Sequence, residues 1–429
     1  MAIKILATGD LHIGKKISSS VYDTGGLSAK DTWKRIVDWS IDNDVDIIAL
    51  TGDIVDRDNR YFEAFGPLQS GFKKLKEKGI QVYMVAGNHD FDVLPELLKP
   101  GGFENVHFIG DRGQWQLLTY FKDQEILQIA GWSFPTQYHR QDPLSQFTLS
   151  DIDQNFPCIG LLHGDAYAKD SAYAPIDISL CNGLPVNLWI LGHIHKPGTL
   201  KAVVPYICYP GSPMAFGPKE PGIHGPIVFM VDKGIILTPE TVLFSPVRFE
   251  NLEIDVTGSD NEDELRRRLM AEIDNEVLEL NKQTPGISHI VFDVTLTGTY
   301  PRSNEIGRWS RGLSGAEDYG TNETRIYVRR VSVTVKPEVT DLEELSRQSS
   351  PAGILASAIL AIDADRENEF LTQMIAEWEK KFIYMRNRPT YQPLKRFQES
   401  EESIRETAKK FIRKEAIRLL GELTQQQQQ

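Results

Sequence analysis

Five short apolar segments of this sequence each lead into residue types that can bind a metal ion. The first begins at Ile3 and leads to Asp10 and His12. The other four have the same form, and they lead in turn to Asp53, to Asn88 and His89, to His163, and to His193 and His195. A short apolar run bounded by turn residues is typical of a buried strand. The pattern therefore predicts five strands whose ends aim polar side chains at one region.

The chemistry of these residues favours a divalent metal site. Carboxylates, one amide and neutral imidazoles supply the mixed oxygen and nitrogen ligands that suit manganese, iron or zinc. One such cluster taken alone is explained better by a helix N-cap acid beside a surface histidine. Repetition at five strand ends, with glycine beside four of the clusters to let the chain turn, favours the metal site instead.

The first hundred residues alternate strand patterns with helix patterns. Trp33, Ile36 and Val37 recur at helical spacing between two of the apolar runs. Strands that alternate with helices pair in parallel through crossover connections. Ligands of such folds collect at the carboxyl ends of the strands, and the candidate metal ligands follow the strands at these ends.

The five clusters together resemble the motifs of the calcineurin-like metallophosphoesterases, in order and in spacing. Within that superfamily the sequence is most similar to the SbcD-type nuclease subunit of DNA double-strand-break repair. Three stretches carry this likeness: Asp-Leu-His-Ile-Gly-Lys at 10–15, Gly-His-Ile-His-Lys-Pro at 192–197 and Tyr-Pro-Gly-Ser-Pro at 209–213. The resemblance covers about residues 1–245. It implies an α/β fold, the four-layer αββα phosphoesterase sandwich, followed by a small α/β capping domain and C-terminal helices.

Changes of pattern along the chain predict the domain boundaries. We expect a nuclease domain at 1–245, an α/β capping domain that accepts DNA at 246–337, a helical partner-binding region at 338–424 and a disordered glutamine tail at 425–429. In the capping domain, the arginines at 266–268 and 329–330 fit phosphate contacts or a solvated charge cluster. The helical stripes of the C-terminal region fit either a core or a docking surface.

The resemblance also implies a role for each candidate site residue. Asp53 bridges two divalent ions, manganese by the family's pattern. The remaining ligands divide into Asp10, His12 and His195 for one ion and Asn88, His163 and His193 for the other. His89 stabilises the transition state or protonates the leaving oxygen, or it orients a neighbouring ligand. Asp56, Asp90 and Asp165 are expected to orient imidazoles, and Arg57 to hold a phosphate oxygen.

Two departures from the family's pattern affect the residues that would contact DNA. Asp56 stands where some nucleases of this type have a histidine thought to position DNA, so that role has no candidate here. The segment after Ser212 and Pro213 matches no pattern with a known role.

The implied function is a manganese-dependent DNA exonuclease and endonuclease subunit that works with an SMC-like ATPase of the SbcC type, bound through the C-terminal helices. A net charge of −13 is unusual for a nucleic-acid enzyme, and we expect the partner to supply much of the DNA affinity. A homodimer is implied by resemblance alone. Two other functions fit the sequence: a phosphoprotein or small-molecule phosphatase, and a mainly structural subunit that tethers DNA ends.

Cysteine content and hydropathy bear on the cellular location. The three cysteines, at 158, 181 and 208, are widely spaced and odd in number, which indicates reduced core thiols. No segment has the length and hydropathy of a membrane span, and the first residues do not resemble a signal peptide. We therefore expect a cytoplasmic protein without a membrane contact.

Overall fold

A computed structural model of the protein describes most of the chain. The described residues are 1–17, 27–57, 63–99, 101–259, 261–283, 287–300, 303–310, 324–337, 342–366, 368–386 and 401–426. They divide into two compact units: the first contains 1–251, 277–292 and 316–329, and the second contains the remainder. The domain boundaries expected from the sequence remain a prediction.

Most of the described strands lie in the first unit. The strands are β1 (Ile3–Thr8), β2 (Ile47–Thr51), β3 (Gln81–Val85), β4 (Val106–Phe108), β5 (Gln116–Lys122), β6 (Glu125–Trp132), β7 (Cys158–His163), β8 (Leu188–Gly192), β9 (Gly198–Lys201), β10 (Tyr206–Tyr209), β11 (Ile227–Asp232), β12 (Ile235–Ile236), β13 (Glu240–Thr241), β14 (Val247–Asp255), β15 (His289–Thr297), β16 (Thr299–Tyr300), β17 (Arg325–Val333) and β18 (Lys336–Pro337). β14, β15 and β17 form a three-stranded sheet.

Helices flank the first sheet and dominate the second unit. They are α1 (Ala29–Asp42), α2 (Phe65–Glu77), α3 (Val93–Leu98), α4 (Glu262–Gln283), α5 (Ser303–Trp309), α6 (Leu342–Ser346), α7 (Pro351–Asp363), α8 (Glu369–Arg386) and α9 (Glu401–Gln426). Helix α1 begins at a capping box: the Ser28 side chain accepts from the backbone N–H of Asp31, and the Asp31 side chain accepts from the backbone N–H of Ser28. Helix α9 includes the first two of the five terminal glutamines; the other three lie outside the described residues.

Two large sheets form the body of the first unit. In the first sheet the order is β12-β11-β1-β2-β3-β4, with β1 to β4 parallel and β11 antiparallel to β1. In the second sheet the order is β5-β6-β7-β8-β10-β9, with β6, β7, β8 and β10 parallel. Parallel strands in both sheets place several carboxyl ends at the same edge.

Alternate residues of the strands face two different cores. In β2, Ile47 and Ala49 pack between the two sheets, where they meet Ile159 of β7, while Ile48 and Leu50 pack against α1 and α2. Both faces of the strand are thus buried, which explains why its sequence is uniformly apolar. The sheet-on-sheet core and the helical layer were both expected from the resemblance.

Loops and short 3₁₀ helices cover the outer face of the second sheet. Trp132 and Trp189 lie on this face, and they pack with Phe134, Leu144 and Ile176 from the connections. The four layers are therefore helices, sheet, sheet and a layer of connections, which confirms the α/β class and the sandwich. Cys158, Cys181 and Cys208 are free and buried in the first unit, as reduced core thiols would be.

In the second unit the C-terminal helices pack on one another. Ala352, Ala356 and Ile359 of α7 meet Ala416 and Leu420 of α9. A second small core joins Leu371 and Ile375 of α8 to Ala408 and Ile412 of α9. Most of the apolar stripe on α9 is thus buried within its own unit. None of the described helices is long and apolar enough to cross a bilayer.

Candidate metal centre

The candidate ligands lie just beyond, or at, the carboxyl ends of parallel strands. Asp10 follows β1, Asp53 follows β2 and Asn88 follows β3 in the first sheet. In the second sheet His163 is the last residue of β7, and His193 directly follows β8. The five predicted strands are confirmed, and the two sheets present their carboxyl ends to one site.

The backbone around the ligands is held in an uncommon conformation. Asp10, His12, Asp53 and His193 have φ values of 50°, 44°, 50° and 98°, in the left-handed region that side chains seldom adopt. Hydrogen bonds from Asp10 N to Gly52 O (3.0 Å) and from His12 N to Asp53 O (2.9 Å) hold the two loops together. Such strain persists only where surrounding structure enforces it, and it is typical of functional sites.

A first ligand group consists of Asp10, His12 and His195. One potential ligand atom from each lies within 4.8 Å of the others. Nε2 of His12 lies 3.1 Å from Nε2 of His195, so two imidazole nitrogens point at the same small space beside a buried carboxylate. This arrangement is suited to a shared cation.

A second ligand group consists of Asp10, Asp53 and His163, all of them buried. Oδ1 of Asn88 lies 3.2 Å from Nε2 of His163 and extends this group. The backbone N–H of His193 contacts both carboxylate oxygens of Asp10 at 3.1 Å, and its ring centroid lies 5.4 Å from that of His163. Neither group includes a ring nitrogen of His193, although its ring borders the second group.

Asp53 belongs to the second group and also faces a histidine of the first group. Its Oδ2 is 3.8 Å from Nε2 of His12 and 3.4 Å from Nε2 of His163. Burial opposes ionisation of this carboxyl, but the neighbouring imidazoles, His163 foremost, hold the pKa of Asp53 well below its usual range. One oxygen that faces a histidine from each group has the geometry expected of a bridging ligand.

Three ligand imidazoles have their other ring nitrogen beside an acceptor. Nδ1 of His163 donates to the carbonyl of Thr51 at 2.8 Å. Nδ1 of His12 lies 3.2 Å from Oδ1 of Asp56, and the orienting role of Asp56 stays a prediction. Nδ1 of His195 lies 2.6 Å from Oε1 of Glu220. In a neutral imidazole an acceptor at Nδ1 leaves Nε2 unprotonated and aimed inward, which is the usual second contact of metal-binding histidines, so the residues present fit divalent ions.

Burial and charge shift the histidine pKa values in different directions. Burial lowers the pKa of His12, and burial together with the positive charge of His163 lowers the pKa of His193 to about 4. Burial also acts on His163, but Asp53 and Asp10 outweigh it and raise the pKa of His163 to about 9.

His89 lies beside the candidate ligands, and about a third of its side chain is exposed. Its Nε2 lies 3.9 Å from Oδ2 of Asp53, and its Nδ1 lies 3.6 Å from Oδ1 of Asp56. Its backbone N–H donates to Oδ1 of Asp53 at 2.8 Å. Burial lowers the pKa of His89, but Asp56 and Asp53 raise it above its ordinary value. The imidazole is thus placed to hold a proton at the edge of the site.

Asp90 contacts backbone amides, and this differs from the imidazole contact expected for it. Its Oδ1 accepts from Gly87 N at 2.8 Å, and its Oδ2 accepts from Ile54 N (2.6 Å) and Val55 N (3.2 Å). It therefore ties the loop after β2 to the loop after β3. Burial and then the charge of Asp53 raise the pKa of Asp90 to about 7, while the amides oppose the shift.

Asp165 and Arg57 complete the predicted set. Oδ1 of Asp165 accepts from the backbone N–H groups of Tyr167 and Ala168 at 2.9 and 3.0 Å, so its carboxylate shapes the turn after β7, which differs from the imidazole contact expected for it. Its charge still acts on the nearby His193. Arg57 is exposed at the end of a described segment. Its predicted phosphate contact remains a prediction.

Glu220 is a site residue that sequence reasoning did not select. It lies in the segment after Ser212 for which no pattern was apparent, and a lone glutamate among Gly, Pro and Lys has no ligand-like spacing. Its position beside His195 depends on how that segment folds back over the strand end. The only local signal is an acidic residue within a short stretch of sequence otherwise lacking one.

Comparison with known proteins agrees with this geometry. Residues 3–197 match the family described as calcineurin-like phosphoesterase. An uncharacterized metallophosphoesterase of Bacillus subtilis, YhaO, is 29% identical over 59% of this chain and 60% of its own. The SbcD component of the Bacillus subtilis nuclease SbcCD is 24% identical over 51% of this chain and 64% of its own. The DNA double-strand break repair protein Mre11 of Methanopyrus kandleri is 21% identical over 62% of each chain.

The chain thus spans about six-tenths of the length of each of these relatives. The matched region contains both ligand groups, since Asp10 and His195 lie near its two ends. Together with the sandwich of two sheets, the match shows that residues 3–197 of this chain are similar to the calcineurin-like phosphoesterase family.

Proposed function

We propose that the protein is a two-metal phosphodiesterase that cleaves DNA. The observation that supports this proposal most directly is the pair of ligand groups joined by Asp53, with His89 at their accessible side. Two divalent ions at such a site polarise a phosphate group and bring the pKa of water toward neutrality. DNA as the substrate is supported by the likeness to two relatives whose names are those of DNA nuclease and repair proteins.

The protein's own residues would have two roles, metal binding and proton transfer. The seven proposed ligands are Asp10, His12, Asp53, Asn88, His163, His193 and His195, and manganese is the ion that we propose for them. His89 would stabilise charge on the phosphate or supply a proton to the leaving oxygen, since its imidazole faces solvent and two carboxylates favour its charged form. The Asp56 carboxylate would stabilise positive charge on His12 and His89, because its Oδ1 lies 3.2 and 3.6 Å from their Nδ1 atoms.

The test is a substrate panel with manganese added. Purified protein is incubated with end-labelled linear duplex DNA, single-stranded DNA, bis-p-nitrophenyl phosphate and p-nitrophenyl phosphate. We expect cleavage of DNA and of the diester, and we expect His89→Ala to lower the rate about 10²- to 10⁴-fold without loss of bound metal. His107→Asn, which changes a histidine on β4, is the matched control and should retain full activity.

The alternative outcomes separate the candidate functions. Preferred hydrolysis of the monoester, with DNA left intact, would identify a phosphatase and contradict the nuclease proposal. A His89→Ala protein with two bound metals and full turnover would exclude His89 from the reaction. DNA binding without any cleavage would favour a tethering role.

We further propose that the helical region binds an SMC-like ATPase of the SbcC type. The support is the sequence resemblance together with large apolar side chains that the second unit leaves exposed: Phe370, Ile383, Tyr384, Met385, Phe411 and Leu419. Because α9 also supplies buried core residues, deletion of the helix would unfold the region, and point changes are the sharper test. Phe411→Ser with Tyr384→Ser should abolish association with the ATPase and spare diester hydrolysis, whereas Lys381→Ser should affect neither.

A further inference from the structure

A segment that follows β10 connects the first ligand group to a carboxylate outside the ligand set. Oε1 of Glu220 lies 2.6 Å from Nδ1 of His195, and Oε2 accepts from the backbone N–H of Phe216 at 2.7 Å. The glutamate side chain is about one-sixth exposed. Both carboxylate oxygens are thus used, one toward the histidine and one toward the segment's own backbone.

The backbone of Glu220 is itself held in place. Its N–H donates to the carbonyl of Gly217 at 2.9 Å. Its carbonyl accepts from Nε2 of His224 at 3.2 Å, and Nδ1 of His224 contacts Oγ of Ser212 at 3.2 Å. Because His224 is only 2% exposed, this support is an internal part of the segment. The carboxylate therefore has a defined position relative to His195.

We propose that Glu220 is a positioning residue that sets the tautomer and the ring orientation of His195, and through it the metal affinity of the first ligand group. The inference rests on the proposed metal chemistry, but it concerns one of the two ligand groups. Accepting from Nδ1–H places the lone pair on Nε2, the atom that faces His12 at 3.1 Å. A carboxylate hydrogen-bonded to a ligand histidine also makes the imidazole a stronger ligand.

Substitution by glutamine makes the proposal testable because it retains shape and removes one acceptor. A carboxylate has two acceptor oxygens, whereas an amide has one oxygen and one NH₂ group. In one orientation of the new amide, its NH₂ group faces the backbone N–H of Phe216, so that two donors meet. In the other orientation, the NH₂ group faces Nδ1 of His195. In the second case Nδ1 must accept, Nε2 carries the proton, and that nitrogen cannot bind a metal.

The experiment measures metal binding directly. Manganese binding to the full chain is followed by equilibrium dialysis and by the EPR signal of free Mn²⁺, for the parent, Glu220→Gln, Glu220→Asp and the exposed control Glu104→Gln. We expect two ions per chain in the parent, and a loss of about 10- to 100-fold in affinity for one ion only in Glu220→Gln. Glu220→Asp should fall between the two, and Glu104→Gln should match the parent. Diester hydrolysis by Glu220→Gln should recover at high manganese.

A second measurement does not depend on the folding of any variant. Nitrogen-15 spectra of the histidines in the metal-free parent report which ring nitrogen of His195 is protonated. The Nδ1–H tautomer supports the proposal, and the Nε2–H tautomer overturns it.

The outcomes distinguish this inference from the proposed function. Two unaltered manganese affinities in a folded Glu220→Gln protein would overturn the role of Glu220 and leave the nuclease proposal intact. Two bound ions in a parent that cleaves no DNA would overturn the nuclease proposal, while a selective affinity loss in Glu220→Gln would still support Glu220. A parent that binds no divalent ion would overturn both.

Discussion

Gly87→Ala should disable the metal centre while leaving the protein folded. A Cβ atom on Gly87 would lie 2.1 Å from Oδ1 of Asp53 and 2.6 Å from its backbone nitrogen. Ordinary van der Waals contacts of a Cβ atom begin at 3.4 Å, so the Asp53 carboxylate must move away by about 1 Å. Metal ligation tolerates displacements of only about 0.2 Å. The carboxylate affected is the one that faces a histidine of each ligand group.

The magnitude follows from this displacement. A misplacement of about 1 Å at a reacting centre can reduce turnover roughly 10²-fold. Overpacking of a tight site destabilises a fold by about 1–3 kcal/mol, so Gly87→Ala should remain folded at 25 °C with a lowered urea midpoint. We expect bis-p-nitrophenyl phosphate hydrolysis to fall by about two orders of magnitude, and manganese binding to weaken in the same protein.

Gly183→Ala is the matched control. Gly183 is exposed, has no atom of the described residues within 4 Å of an added Cβ and does not require a left-handed φ, so this change should leave metal binding and hydrolysis unaltered. A Gly87→Ala protein that binds two manganese ions with parental affinity and turns over at the parental rate would refute the placement of Asp53 between the two groups.

Three further predictions concern stability. Manganese at 100 times its dissociation constant should raise the free energy of unfolding by about 2.7 kcal/mol for each bound ion, and chelation should abolish the increase. An unchanged melting temperature would contradict a metal site in the folded state. Burial lowers the pKa of His107 below 6.5, so the folded state favours the neutral imidazole. This contribution to stability is present above pH 6.5 and is lost as the pH falls through the pKa of the folded state. The urea midpoint of His107→Gln should therefore depend less on pH between pH 7.5 and 5 than that of the parent. Ile159→Ala removes a fully buried side chain between the two sheets and should cost about 2–5 kcal/mol in urea unfolding, against about 0.5–1.5 for Ile159→Val; equal effects would mean that the core collapses around the missing atoms.

Local chemistry in the sequence was sufficient to predict the five strands and the residues at their ends. An apolar run that ends at an acid or a histidine is a short-range signal. Both the strand that it predicts and the polar residue at the strand end are specified by residues adjacent in the sequence. The parallel arrangement then follows from alternating strand and helix patterns. Asp56 lies near the imidazole of His12, since it follows Asp53 by three residues in the same loop.

Contacts between distant segments were decided by the tertiary structure alone. Glu220 reaches His195 across 25 residues, and Asp90 reaches the amides of Ile54 and Val55 across more than 30. An acidic side chain has the same local appearance whether it accepts from an imidazole, from a backbone amide or from water. The hydrogen-bond partner of an acidic side chain depends on which loops the two sheets bring together. The spacing of residues along the chain does not predict this. The strand-end positions of the candidate ligands were therefore determined by sequence, whereas the carboxylate contacts that join their loops were determined by the packing of the two sheets.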